Sequence, residues 1–338
     1  MKRLYILVMM AVFALVGCQS NETETDSNAS NEQPKENLEK VTVVLDWTPN
    51  TNHTGLYVAK ENGYFEEQGL EVEIIQPGDA GADQLVASGK AEFGVSYQES
   101  ITLARTQDVP IVSIAAVIQH NTSGFASPAD KNIDSPKDFE NRVYGGWGSP
   151  IEQAVLETLM NTEKADIDKL DIVNSGNADF FTMANQGIDF AWIYYAWTGI
   201  EAELRGEDIN MVYLTDYSEK LDYYTPVLAT NENMIEEKTE TVKAFVTAAS
   251  QGYQFAIKNP EDAAAILSKA APELDTELVL ESQKWLADKY QDDAPRFGEQ
   301  KLEVWQNYAD WMKENGVLEG EFTPETAFTN EFLPEKGE

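Results

Sequence analysis

The chain has 338 residues, with 24 Lys+Arg against 59 Asp+Glu and a formal net charge of −35. A surface that acidic repels phosphate, which excludes nucleic-acid binding through a basic face. One cysteine excludes an intramolecular disulfide and a cysteine-rich metal site, and two histidines leave little for a histidine-built centre. The 42% hydrophobic and 10% aromatic content supports a packed core, and the length fits roughly two domains.

Residues 1–17 read as a secretory leader. Lys2 and Arg3 form a positive start, and Leu4 to Val16 form an apolar stretch too short for a comfortable membrane span. Leu15-Val16-Gly17-Cys18 resembles a bacterial lipobox, a signal in which cleavage precedes the cysteine and the cysteine is lipidated. The alternatives are an ordinary leader with an incidental cysteine, or a buried free cysteine. Residues 19–40 are Asn, Glu, Ser and Thr with almost no apolar side chain. Such a segment buries too little surface to offset its ordering entropy, so 18–40 are expected to tether a folded body to the outer face of the membrane.

The folded body begins at Val41. The pattern predicts a strand over Val41–Leu45, a helix over Thr54–Asn62, and a strand over Glu71–Ile75. A helix over Ala80–Ser88 and strands over Phe93–Ser96 and Ile111–Ile118 come next. A second series has strands at Arg142–Gly145, Leu170–Val173, Ile188–Ile193 and Met211–Leu214. Its helices fall at Ile151–Asn161, near Phe180 and from Gly199. After Thr225–Ala229 the pattern is almost purely helical. Val242, Phe245, Val246, Ala249 and Tyr253 share one face, as do Leu302, Trp305, Ala309 and Met312.

This alternation predicts an α/β layered fold with parallel strands in two lobes. Lobe 1 is expected over 41–125 plus 226–332, lobe 2 over 126–225, and a tail over 333–338. The chain is expected to cross between lobes at Asn121–Pro136 and Tyr223–Thr230. Ligands of open α/β sheets bind outside the carboxyl ends of the strands, so two facing lobes form a cleft that closes on a small molecule.

Three segments fall where that cleft would be lined. The first, Asp46 to Gly55, joins a strand to a helix and offers Asp46, Trp47, Asn50 and His53. An indole platform beside a carboxylate suits a planar, amine-bearing heterocycle, but Trp47 could equally pack under the loop while Asp46 caps a turn. The second is Gly145-Gly146-Trp147-Gly148-Ser149-Pro150-Ile151-Glu152. Gly146 would let backbone N–H groups approach a ligand, and Trp147 has no obvious packing reason. Ser149, Pro150 and Glu152 fit a capping box at a helix start. The Lys-Ser/Thr of a nucleotide-hydrolase phosphate loop is missing, and the segment is not a dinucleotide fingerprint either. The third runs from Ala191 to Glu201 and packs Trp192, Tyr194, Tyr195 and Trp197 at a strand end. Strand alternation sends Trp192 and Tyr194 opposite to Ile193 and Tyr195, so at least one pair is core. Tyr97, after the strand Phe93–Ser96, is a further candidate.

Asp46-Trp47 with Pro49 and His53, Gly63-Tyr64-Phe65 with Gly69-Leu70, Gly89-Lys90-Ala91-Glu92-Phe93-Gly94-Val95, and Gly145-Gly146-Trp147-Gly148 carry a resemblance. Together they are similar to the family of thiamine-pyrimidine-precursor-binding proteins, over roughly Val41 to Trp311. That family includes formylaminopyrimidine-binding lipoproteins of ABC transporters and the fungal pyrimidine synthase. The Gly-Tyr-Phe and Gly-Leu elements are shared with sulfonate and nitrate receptors and specify fold. Asp46 to Asn50 is more specific to the pyrimidine branch. The resemblance implies a two-lobed periplasmic-binding-protein fold of type II and no chemistry. The implied ligand is N-formyl-4-amino-5-aminomethyl-2-methylpyrimidine, and the implied partners are a permease and its ATPase. It implies no cofactor and a monomer, with Glu201 joining the site residues named for the three segments.

Two rivals arise from the same resemblance. The enzyme branch uses a lysine-bound pyridoxal phosphate, iron and a sacrificed histidine. Here Val95-Ser96-Tyr97-Gln98-Glu99-Ser100 offers neither lysine nor histidine, and the enzyme's cysteine-rich signature is missing. A receptor for another ligand, a sulfonate or a riboflavin-like molecule, is the other. A sulfonate reader would be expected to offer more fixed positive or N–H character than Asp46 and its aromatic neighbours.

Overall fold

A computed structural model describes residues 38–335 except Asn177. The leader, Cys18 and residues 19–37 of the expected tether lie outside the described residues.

Two five-stranded sheets form the frame. The first contains β1 (Glu39–Val44), β2 (Leu70–Ile75), β3 (Phe93–Ser96) and β4 (Ile111–Ala116), joined by α1 (Thr54–Glu61), α2 (Tyr64–Glu67), α3 (Gly81–Ala87) and α4 (Gln98–Arg105). The second contains β5 (Ser123–Pro128), β6 (Val143–Gly146), β7 (Asp171–Asn174), β8 (Phe190–Tyr194) and β9 (Ile209–Tyr213). Its helices are α5 (Pro150–Thr162), α6 (Phe180–Asn185) and α7 (Ile200–Arg205). The chain then returns as β10 (Val227–Asn231) to the first sheet. Helices α8 (Glu232–Glu237), α9 (Thr239–Lys258), α10 (Pro260–Ala270), α11 (Thr276–Leu286) and α12 (Leu302–Glu314) complete it.

The sheet orders are β2-β1-β3-β10-β4 and β7-β6-β8-β5-β9. The sequence pattern implied parallel strands, but both sheets are mixed. β10 runs antiparallel to β3 and β4, and β5 antiparallel to β8 and β9. In each sheet the reversed strand is the one that arrives from the other lobe. β5 occupies a stretch that reads in the sequence as a turn-rich crossing. The chain therefore changes lobes over residues 117–122, ahead of Ser123, and changes back over 214–226. These two passages lie side by side. Val117 N donates to Pro226 O (3.0 Å), and Asn121 N donates to Asp222 Oδ1 (2.9 Å).

The core of the first lobe forms where α9 crosses the sheet. The face predicted by helical spacing is buried at every position: Val242, Phe245, Val246, Ala249 and Tyr253. Phe245 stacks on Phe93 of β3, with ring centroids 3.8 Å apart. α1 reaches α9 closely because both lack a side chain at the crossing. A Cβ on Gly252 would stand 2.0 Å from the Gly55 carbonyl oxygen. In the second lobe Phe125, Phe139, Tyr144 and Phe190 form an aromatic cluster between the sheet and α5.

Two elements tie the lobes together. On α12, Trp305 packs with Ile101 and Val227 of the first lobe. One turn on, Tyr308, Trp311 and Met312 pack with Val155 and Leu159 of α5, and Trp311 Nε1 donates to Thr158 Oγ1 (2.9 Å). Leu302, expected on that buried face, is instead exposed at the first turn of the helix. On α11, Trp285 meets Tyr195 of the second lobe, 5.4 Å between ring centroids. No helix among the described residues is long and apolar enough to cross a membrane.

Candidate functional site

β1 ends at Val44, and the chain turns at the carboxyl edge of its sheet through Asp46 and Trp47. Asn50 organises the turn. Its side chain accepts from Asn52 N (2.9 Å) and donates to Thr48 O (3.0 Å), while its backbone N–H donates to His53 Nδ1 (3.2 Å). Two buried tyrosines from the helical layer hold the same turn: Tyr253 donates to Asn52 O and Tyr290 to Thr51 O. Because Nδ1 accepts, the His53 proton sits on Nε2, which lies 2.5 Å from Asp46 Oδ1. Tyr97, at the junction of β3 and α4, donates its hydroxyl to Asp46 Oδ2, also at 2.5 Å.

Burial alone would push the Asp46 pKa up, but the His53 ring and the Tyr97 hydroxyl outweigh it and hold the carboxyl below its usual range. Asp46 is therefore an ionised carboxylate in an almost closed setting. Each oxygen already takes one donor, and a carboxylate has about four acceptor positions, so each can take a further N–H. Trp47 next to it exposes 55% of its surface, so it does not pack under the loop.

The matching loop of the second lobe comes after β6. Glu152 governs it. One carboxylate oxygen accepts from Trp147 N (3.0 Å) and the Tyr144 hydroxyl (2.6 Å). The other accepts from Gly148 N and Ser149 N, both at 2.7 Å. Ser149 caps α5 by accepting from Ile151 N, and the capping box is complete. Gly146 is needed for the same reason, since a Cβ there would lie 2.2 Å from Glu152 Oε1. The backbone donors of this loop are thus consumed within the protein. What it presents outward is Trp147, 47% exposed, tilted against Trp192 with ring centroids 5.4 Å apart.

At the end of β8 the aromatics separate. Ile193 enters the core under α6. Trp192 lies on the opposite face, with a buried Nε1 that has no partner. Tyr194 approaches Thr225 Oγ1 at 3.5 Å and feels the charges of Glu99 and Asp46, which brings the second lobe to the Asp46 group. Tyr195 opens a π-helical turn over Tyr195–Gly199. Its hydroxyl is taken by Glu203 and its ring by Tyr213 and Trp285, so it joins the lobe contact on α11 rather than the Asp46 group. Glu201 is ion-paired with Arg205 one turn along α7.

The structure adds two carboxyls that sequence reasoning does not single out. Glu99, in the first turn of α4, has an Oε2 sealed from solvent without a hydrogen-bond partner. Burial pushes it up to about 8, opposed by a hydrogen bond from its own backbone and helped by the charge of Asp83. Burial also raises Asp83, reinforced by the charge of Asp46. The available signal was the position of Glu99 two residues past Tyr97 at a strand edge. Among the described residues no group of three or more His, Cys, Asp and Glu is arranged to hold a metal ion.

Asp46, Tyr97 and Tyr194 thus come together where the two lobes meet. The protein is 32% identical to the formylaminopyrimidine-binding protein of Halalkalibacterium halodurans, over 96% of this chain and 97% of that one. It is 23% identical to the 4-amino-5-hydroxymethyl-2-methylpyrimidine phosphate synthase of Legionella pneumophila, over 88% and 93% of the two chains. The periplasmic aliphatic sulphonate binding protein SsuA of Escherichia coli superposes with a TM-score of 0.67 at 13% identity, covering 89% of this chain and 95% of that one. The fold is therefore that of the periplasmic binding proteins, with two mixed α/β sheets. The NMT1/THI5-like family model matches residues 50–263, more than half of the sequence, and the chain belongs to that family.

Proposed function

We propose that this chain is the solute-binding protein of an ABC importer. It captures N-formyl-4-amino-5-aminomethyl-2-methylpyrimidine outside the cytoplasm and passes it to a permease for thiamine salvage. In this reading the protein is a monomer, held to the membrane by lipid on Cys18, and it acts without a cofactor. A membrane permease and its ATPase are its partners.

One observation carries the reading: Asp46, ionised and fixed by His53 and Tyr97, stands beside the exposed indole of Trp47 at a lobe edge. An aminopyrimidine supplies what that pair lacks, a flat ring for the indole and N–H groups for the carboxylate. The formylaminopyrimidine-binding relative supports the choice of ring. A sulfonate is disfavoured, because the ionised Asp46 would face its negative charge. Synthase chemistry is disfavoured because the position past β3 carries Tyr97, whose hydroxyl is committed to Asp46.

Native mass spectrometry of the purified protein, then titration with candidate ligands, tests the proposal. The expected result is one equivalent of the formylaminopyrimidine retained or bound, with no binding of an alkanesulfonate or riboflavin. Retained or consumed pyridoxal phosphate would replace the reading with the enzymatic one.

A further inference from the structure

Glu99 sits in an unusual setting. Gln98 beside it is fully buried and bolts the start of α4 in place. Its Nε2 donates to Val304 O (3.2 Å) and its Oε1 accepts from Tyr224 N (2.9 Å). The backbone that carries Glu99 is thereby fixed against the crossing passage and α12. The helix has a cation, Arg105, but that guanidinium pairs with Glu232 (2.7 Å). Around the Glu99 carboxyl lie Asp83 of α3 and the hydroxyls of Tyr97, Tyr194, Tyr223 and Tyr308. None of these groups is positive. Asp46, already ionised, accepts from the Tyr97 hydroxyl.

The two carboxyls therefore differ in kind. Asp46 has donors aimed at it and is an acceptor only. Glu99 has no cation and no fixed donor on Oε2, so it holds a proton at neutral pH. A neutral carboxyl both donates and accepts from adjacent oxygens. The complementary edge is an amidine-like N=C–NH2, in which a ring nitrogen accepts and the neighbouring amino group donates. A 4-aminopyrimidine carries that edge, whereas an alkylammonium, a sulfonate or a plain carbonyl does not.

We propose that Glu99 is the specificity-determining residue of the cleft, reading the amidine edge of a neutral aminopyrimidine as a carboxylic acid while Asp46 accepts a separate N–H. This rests on the proposed binding function and adds the group that selects the ring. It also separates two ligand classes by pH. A neutral aminopyrimidine needs the shared proton, so its affinity should fall as pH rises past about 8, where free Glu99 ionises. A cationic amine would pair with ionised Glu99 and bind more tightly over the same rise. The surrounding tyrosines do not confuse the result, since burial holds Tyr97 and Tyr194 above the usual tyrosine range.

The test is calorimetric titration with N-formyl-4-amino-5-aminomethyl-2-methylpyrimidine from about pH 6.5 to about pH 10, on wild type, Glu99→Gln and Glu99→Ala. Wild-type affinity should hold up to about pH 8 and weaken roughly tenfold per unit above it. Glu99→Gln, whose amide also donates and accepts, should bind within a few-fold of wild type at neutral pH and lose the pH dependence. Glu99→Ala should bind at least about tenfold more weakly at neutral pH. A flat wild-type profile with normal binding by Glu99→Ala would overturn the inference while leaving the proposed function in place. Affinity that rises with pH would assign Glu99 to a cation instead and overturn it. Absence of binding by wild type would overturn both.

Discussion

Asp46 and Trp47 carry the binding claim, and their roles separate on substitution. Trp47 is too exposed to contribute much to folding, so Trp47→Ala should leave the thermal melt nearly unchanged. Loss of its contact with the ring should cost about 2 kcal/mol from area and stacking together, at least about tenfold in Kd. Asp46→Asn should weaken binding to a similar degree, since an amide turns a donor toward His53 or toward the ligand. Calorimetric titrations beside melting curves check both, and a Trp47→Ala protein that melts early but binds normally would reverse the assignment. The loop was legible at a sheet edge, because a strand, a polar turn and a helix start are all local patterns. The His53–Asp46 bond was not, since it depends on the short helical turn capped by Asn50. Nor could local pattern divide Ser149 and Gly146 from the ligand surface. Only the folded loop shows that Glu152 already occupies its N–H groups.

At the scale of elements, the passages between lobes hold the remaining histidine. His120 in the first passage meets Asp222 in the second at 2.6 Å, with Asp293 at 3.4 Å on its other nitrogen. The hydrogen bond to Asp222, added to the charges of Asp222, Asp293 and Asp292 and opposed by partial burial, raises its pKa from 6.5 to about 9. A folded-state pKa above the unfolded one stabilises the fold fully below about 6.5, and that contribution fades as pH rises through about 9. His120→Asn should therefore melt below wild type at about pH 6, and the two curves should converge near about pH 10. The gap will be modest, because solvent screens a ring that is 43% exposed. A gap that widens with pH would contradict the linkage. Most elements were legible from periodicity, but α2, α4 and β5 were not. β5 reads Ser-Gly-Phe-Ala-Ser-Pro because it is clamped between β8 and β9, where a Cβ on Gly124 would meet Val212 O at 2.5 Å. Small residues there look like a turn. α4 buries the polar Gln98 and Thr102 beside Ile101, so its inward face is not an apolar stripe.

At the scale of the whole molecule, two mixed sheets are joined by paired passages, and α11 and α12 each contact both lobes. The α11 bridge rests on the Trp285–Tyr195 contact, which can part without unfolding either core, whereas α12 is buried in the cores of both lobes. Ligand between the lobes should favour the closed arrangement, so small-angle scattering should give a smaller radius of gyration with saturating formylaminopyrimidine than without it. Superimposable curves would argue against a closing cleft. The most direct measurement is a crystal structure of the protein grown with the formylaminopyrimidine. The ring should lie between the two lobes, beside Trp47, with an N–H within hydrogen-bond distance of Asp46 and the amidine edge against Glu99. A ring bound elsewhere, or a cleft in which Asp46 keeps only His53 and Tyr97 as partners, would contradict the binding claim.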